Sequence, residues 1–165
     1  MKLRKLILLS LLTFLTINSF AQSKFGHINA EEVMLLMPEL AAADKILKQQ
    51  EQDAELAIKS MLAERDVIEQ NYNQNEANLS DLEKQDAAAK YQDLSERIQL
   101  YDKTATQNLV AKQKELYAPI ESKLINAINE VAEENKYTYI FQNGVFLYAD
   151  EANDITNLVK KKLGL

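Results

Sequence analysis

The chain has no cysteine and no tryptophan, and its 165 residues include only three glycines, two prolines and one histidine. The lack of cysteine excludes disulfides, a thiol nucleophile, thiolate metal sites and lipid attachment through sulfur. The single histidine, His27, has no second imidazole or thiolate with which to complete a typical zinc site, and a strand histidine in a packed body is more often structural than a ligand. Nothing along the chain forms a nucleophile–base–orienter set or a glycine-rich phosphate loop. Neither an enzyme, a metal nor a cofactor is therefore expected. Basic residues are also in deficit: 19 Lys and Arg stand against 25 Asp and Glu, a formal net charge of −6. That balance argues against a nucleic-acid partner, which requires a basic footprint, and against simple adhesion to anionic lipid head groups.

The few turn formers are unevenly placed. From Glu39 to Asn135 there are 97 positions with no glycine and one proline, Pro119. Turns favour Gly, Pro or a similar breaker, so this stretch reads as long helix with one credible reversal, the polar tract Asn71–Asn78. Asparagine tolerates the left-handed conformation that a tight turn needs. Before the tract, Leu40, Leu47, Ala54, Met61 and Ile68 recur every seven residues. The accompanying line of Ala43, Gln50, Ala57 and Glu64 is only half apolar, so the seam is coiled-coil-like but incomplete. After it, Ser80 and Glu83 fit a capping box. Ala87, Tyr91, Leu94, Ile98, Tyr101 and Ala105 then alternate by four and three, and the stripe resumes from Leu109 to Val131 past Pro119.

The two ends differ in kind. Met1–Lys5 is basic, Leu6–Phe20 is largely apolar, and Ser19 and Ala21 are small residues at the −3 and −1 positions of a cleavage site. This is the layout of a secretory signal peptide cut after Ala21, with too short an apolar run for a membrane span. No other segment reads as one, so stable membrane insertion is not expected. Removal of Lys2, Arg4 and Lys5 takes the net charge from −6 to −9. The exported chain begins with a strand, Lys24–Asn29, then a short helix capped by Asn29, with Pro38 opening the next helix. Lys136–Phe141 reads as a strand, Asn143-Gly144 as a type I′ hairpin turn, and Val145–Tyr148 as the return strand. Asp154 is placed to cap a last helix, Ile155–Leu163. The first strand and the last hairpin can pair into a three-stranded sheet only if the long helices double back.

The expected fold is mainly α with a small β body: a long antiparallel, coiled-coil-like helical hairpin projecting from a β-rich oligomerisation body made by the N- and C-terminal segments. Residues 1–21 form the leader, 22–38 and 119–165 the body, and 39–118 the arm, with its tip at about 71–79.

With Phe25-Gly26-His27-Ile28-Asn29 followed by Pro38, then Tyr137–Phe141, Val145–Tyr148 and Asp154–Leu163, the chain resembles the Skp/OmpH family of periplasmic chaperones for outer-membrane proteins over nearly its whole exported length. The resemblance implies a homotrimer. Its pooled strands would form the body, and its helical arms would hold unfolded outer-membrane proteins without ATP, through many weak contacts and no catalytic set. One departure concerns charge, because the best-known member has strongly basic arms. Here residues 60–100 carry nine acidic groups, among them Glu64, Asp66 and Glu69, against Arg65, Lys84, Lys90 and Arg97. No basic binding site is carried over. The candidate client contacts are Met61, Ile68, Tyr72, Tyr91 and Tyr101, since Met adapts to varied partners and Tyr offers large amphipathic contact. The competing role for such residues is to zip the two arms together. Phe25, Ile28, Tyr139, Phe141, Val145 and Leu147 are assigned to the body and the subunit contact. The alternative function is a structural coiled-coil spacer or assembly subunit of the envelope, which would want the complete seam that Gln50 and Glu64 interrupt.

Overall fold

The computed structural model describes residues 23–165; the signal peptide expected over 1–21, with its cut after Ala21, lies outside the described residues. The elements in chain order are β1 (Phe25–Ile28), α1 (Ala30–Leu36), α2 (Pro38–Asn75), a 3-10 turn (Glu76–Asn78), α3 (Asp81–Asn135), β2 (Tyr139–Gln142), a second 3-10 turn (Glu151–Asn153) and α4 (Thr156–Leu163). The protein is mainly helical, with a small sheet. Among the described residues no helix is long and apolar enough to cross a membrane.

Local chemistry sets most of the element boundaries. Asn29 starts α1 by accepting from the backbone N–H of Glu32 (3.1 Å), while its own side-chain N–H donates to the Glu32 carboxylate (3.2 Å). Pro38 occupies the first turn of α2, where its missing N–H costs no helical bond. Ser80 and Glu83 close the expected capping box: the Ser80 backbone N–H and hydroxyl both donate to Glu83, at 2.8 and 2.6 Å, and the Glu83 N–H donates back to the Ser80 oxygen. These bonds hold the Glu83 carboxyl below its ordinary range. Helix α3 runs unbroken through Pro119. It ends at Lys136, whose φ of 58° is the left-handed turn that glycine would usually supply. The Tyr137 N–H donates to the Ala132 carbonyl (2.9 Å) and the Lys136 N–H to that of Glu133 (3.3 Å), and the Lys24 ammonium caps the Asn135 carbonyl at 3.0 Å.

The chain divides into two compact units. Among the described residues, one comprises 23–33 together with Ile125–Leu165, and the other is Met34–Leu124. In the first, β1 and β2 pair in parallel, with Phe25 opposite Tyr139 and His27 opposite Phe141. The buried side of this unit holds Ile28, Val33, Ala127, Val131, Ile155 and Val159. Gly26 lies where the backbone must pass closest to neighbouring side chains, for a β-carbon there would sit 3.0 Å from the Tyr137 ring and 3.3 Å from Ile155. The Asp154 carboxylate accepts from the Thr156 N–H (2.7 Å) at the start of α4. Lys162 near its end bridges Glu130 (2.8 Å) and Glu134 (2.6 Å) on α3, which pushes the Lys162 ammonium well above its ordinary pKa.

In the second unit the buried positions are Met37, Leu40, Ala43, Leu94, Ile120 and Leu124. Cross-helix contacts pair Glu39 with Lys123, Asp44 with Tyr117 and Arg65 with Tyr91. Residue numbers therefore rise along α2 as they fall along α3.

Three expectations need correction. Val145–Tyr148 is not a strand, so the sheet has two strands rather than three. The reason lies in the turn. The Val145 N–H donates to the Gln142 carbonyl (3.3 Å) and Gly144 has a φ of 92°, but Asn143 does not share the positive φ that type I′ demands. A positive φ at the second central position alone is the type II pattern, whose twist splays the flanking segments instead of pairing them. At the helix reversal, Asn71–Asn75 stay helical, and none of the asparagines in the tract is left-handed. Continuing the hydrogen-bonded ladder there keeps carbonyls paired that a tight turn would have left free.

Candidate functional site

Two surfaces carry the residues singled out from the sequence, one in each unit. In the β-containing unit the pleat sends alternate side chains to opposite faces. Ile28 goes inward and is buried, while Phe25 and Tyr139 stay exposed and Phe141 half-exposed. These three rings cluster, with Phe25 stacked on Tyr139 at 5.7 Å and on Phe141 at 6.4 Å. Phe146 meets the edge of Phe141 at 4.8 Å. Phe25, Phe141 and Phe146, together with Tyr148, line an apolar cavity of about 440 Å³ beside His27. Val145 and Leu147 lie in the same segment with their side chains in solvent, and Leu147 is fully exposed. An apolar cluster this open is a surface suited to association, because its burial would release about 25 cal/mol per Å².

His27 sits at the rim of the cavity and is itself 9% exposed. Its Nδ1 lies 2.7 Å from Asn143 Oδ1 and its Nε2 lies 3.1 Å from the Asp150 backbone carbonyl, which can only accept. Burial works against the charged ring, but these two bonds and the carboxylates of Asp154 and Asp150 outweigh it and raise the pKa. Asp154 is moved the other way. Its burial is outweighed by hydrogen bonds from Thr156 and by the His27 and Lys160 charges, which together lower its pKa. The sequence marked His27 as structural but gave no sign of its partners, which lie 116 and 123 positions away.

In the helical unit, Ile68, Tyr72 and Tyr91 come together around a cavity of about 440 Å³ with Ala87 and Ala88. Tyr101 is not part of that group. It lines a separate cavity of about 380 Å³ with Ala54, Ile58, Ala105 and Leu109. Small Ala54 and Ala105 leave the second gap, and Gln50 at its edge is the polar interruption already visible in the heptad. Met61 is half-buried. Arg65 was not foreseen as part of the site: its guanidinium lies 5.5 Å from the Tyr91 ring centre, within cation–π reach, and its Nε has no hydrogen-bond partner. Among the described residues no cluster of histidine and acidic side chains is arranged to hold a metal ion. The arrangement offers apolar and aromatic contact, interrupted by gaps.

Comparison with known proteins agrees with this picture. A search of curated proteins finds no match. Among solved structures, the chain is similar to a proposed outer-membrane chaperone (OmpH-like) from Caulobacter crescentus CB15. The TM-score is 0.76 at 16% identity, over 87% of this chain and 85% of that one, which shows a shared fold. The family model described as "Outer membrane protein (OmpH-like)" matches residues 24–163; the chain thus belongs to the OmpH-like family, a family of chaperones and not of enzymes.

Proposed function

We propose that this protein is an ATP-independent periplasmic holdase that binds unfolded outer-membrane proteins between helical arms and keeps them from aggregating. The observation that carries the reading is the incompletely closed contact between α2 and α3. A spacer would gain from a continuous apolar seam, yet here cavities of about 440 and 380 Å³ interrupt it, with Ile68, Tyr72, Tyr91 and Tyr101 at their walls. Such a surface gives a mobile apolar chain many small footholds and no single tight pocket, which is what a binder of varied sequences requires. The family assignment and the fold support the same role.

In this reading α2 and α3 form an antiparallel hairpin, consistent with the opposed numbering of their contacts, and residues 39–118 serve as the arm. Residues 22–38 and 119–165 form the body. Three subunits associate through the exposed aromatic face around Phe25, Tyr139 and Phe141, with Val145 and Leu147, which would cover the open edges of a two-stranded sheet. The leader sends the chain to the periplasm. Arms with more acidic than basic groups point to capture by apolar contact and not by attraction of acidic clients.

The test is light scattering of a urea-unfolded outer-membrane β-barrel protein diluted into buffer with and without the exported protein, in the absence of ATP. Suppression near one oligomer per client is the expected result. A folded protein that gives no suppression would reject the holdase and favour an envelope spacer.

A further inference from the structure

His27 is the one histidine of the chain, and it is held by an oxygen at each ring nitrogen: Asn143 Oδ1 at 2.7 Å from Nδ1 and the Asp150 carbonyl at 3.1 Å from Nε2. A neutral imidazole has one N–H and can satisfy one such acceptor; only the imidazolium satisfies both. The charged groups facing it are carboxylates. Asp150 precedes the Glu151–Asn153 turn, and Asp154 follows it, bridged to His27 through the backbone. From β2 the residue opposite is the uncharged Phe141. On α4, Lys160 acts on Asp154 and is itself paired with Glu32. The two acceptors bracket the stretch that contains Val145, Phe146, Leu147 and Tyr148.

We propose that His27, when doubly protonated, is a latch that fastens residues 143–150 to β1 and loosens as the ring loses its proton. Deprotonation removes one donor. Both contacts then survive only if the Asn143 amide turns its nitrogen toward the ring, and both lose the charge that makes such bonds roughly twice as strong as neutral ones. Asp150 and Asp154 are at the same time left without the cation they face. The latch is therefore tight in mild acid and slack above neutrality, across the range in which histidine titrates. On the assembly reading given above, Val145 and Leu147 lie between subunits, so the latch would tie association to the acidity of the compartment; that consequence rests on that reading.

A single histidine makes the test direct. Nitrogen-15 NMR of the unaltered exported chain should show two protonated ring nitrogens at about pH 5.5 and a titration midpoint above the ordinary 6.5. Amide exchange followed by mass spectrometry, corrected for intrinsic rate, should show residues 143–150 losing protection between about pH 5.5 and about pH 8.5, while residues 120–131 keep theirs. His27→Gln should abolish that pH dependence. A midpoint at or below 6.5, or equal protection of 143–150 at both pH values, overturns the latch whether or not the variant folds. Sedimentation at the same two pH values separates the readings. A constant mass with changing protection supports the latch and rejects its link to assembly, whereas unchanged protection rejects the latch whatever the mass does.

Discussion

Replacing Gly26 by alanine tests the packing of the β-containing unit with one added carbon. The new β-carbon would lie 3.0 and 3.1 Å from two atoms of the Tyr137 ring and 3.3 Å from Ile155 Cγ2. Neither neighbour can easily retreat. Ile155 is fully buried, and Tyr137 is held under the Lys24 ammonium, 3.9 Å from the ring centre. Overpacking of this kind costs typically about 1–3 kcal/mol, which for a chain of this length lowers Tm by roughly 2–4 °C per kcal/mol. Thermal unfolding followed by circular dichroism is a sufficient assay, provided that all variants are compared at one protein concentration, because association makes Tm depend on it. Gly144→Ala isolates backbone strain from crowding, since nothing lies within 4 Å of the corresponding β-carbon but the φ of 92° disfavours any side chain. A Gly26→Ala protein within about 0.5 kcal/mol of the parent, the range of an ordinary surface change, would refute the close packing of Tyr137 against β1.

Other outcomes follow from the same geometry. Gly144→Val should lower stability by about 1–2 kcal/mol, the usual strain of a left-handed non-glycine residue; an unchanged denaturation midpoint would refute the positive φ at this position. Ser80→Ala removes the two capping-box bonds made by the hydroxyl, leaves the one from the Ser80 backbone N–H to Glu83, and should cost about 1 kcal/mol, visible as faster amide exchange in residues 81–84. Between pH values near the ordinary Asp and His pKa values of 3.8 and 6.5, the His27–Asp154 pair contributes fully to stability. The raised His27 pKa means that this contribution is lost as pH rises through it, and the lowered Asp154 pKa means that it is lost as pH falls through that one. Urea midpoints at constant ionic strength should therefore peak in mild acid, and His27→Gln should flatten the alkaline limb. Client binding through apolar contact should persist at about 1 M salt, where the screening length is about 3 Å; its disappearance there would show that charge does the capturing.

The elements that sequence reasoning located were those fixed by neighbours a few residues away. Ser80 with Glu83 and Asn29 with Glu32 are three apart and settle a helix start by themselves, and Pro38 does so alone. The absence of glycine from 39 to 135 was enough to identify two long helices. What stayed hidden depends on distant partners. Asn143-Gly144 can form more than one turn, and the choice depends on what β2 pairs with. Its one partner among the described residues is β1, and a turn with a positive φ at Gly144 alone splays Val145–Tyr148 away from the other edge. His27 likewise reveals its acceptors only when positions 143 and 150 arrive beside it. The placement of Ile68, Tyr72 and Tyr91 around one gap, with Tyr101 at another, follows from where the small residues Ala54, Ala87 and Ala105 fall on facing helices. A heptad count records spacing along one helix and is blind to that opposition.

The turn between α2 and α3 is exposed apart from a partly covered Leu79, and it divides the described chain into halves that each keep one strand. The N-terminal half carries β1, α1 and α2; the C-terminal half carries α3, β2 and α4. Neither half contains a complete sheet, and each presents the exact edge that the other lacks. A cut at residues 76–79 would thus produce a split protein whose fragments recognise each other through the backbone register of β1 on β2 as well as through their helices. Reassembly of two separately made pieces becomes a way to join two cargo domains at this turn, with parallel strand pairing as the clasp.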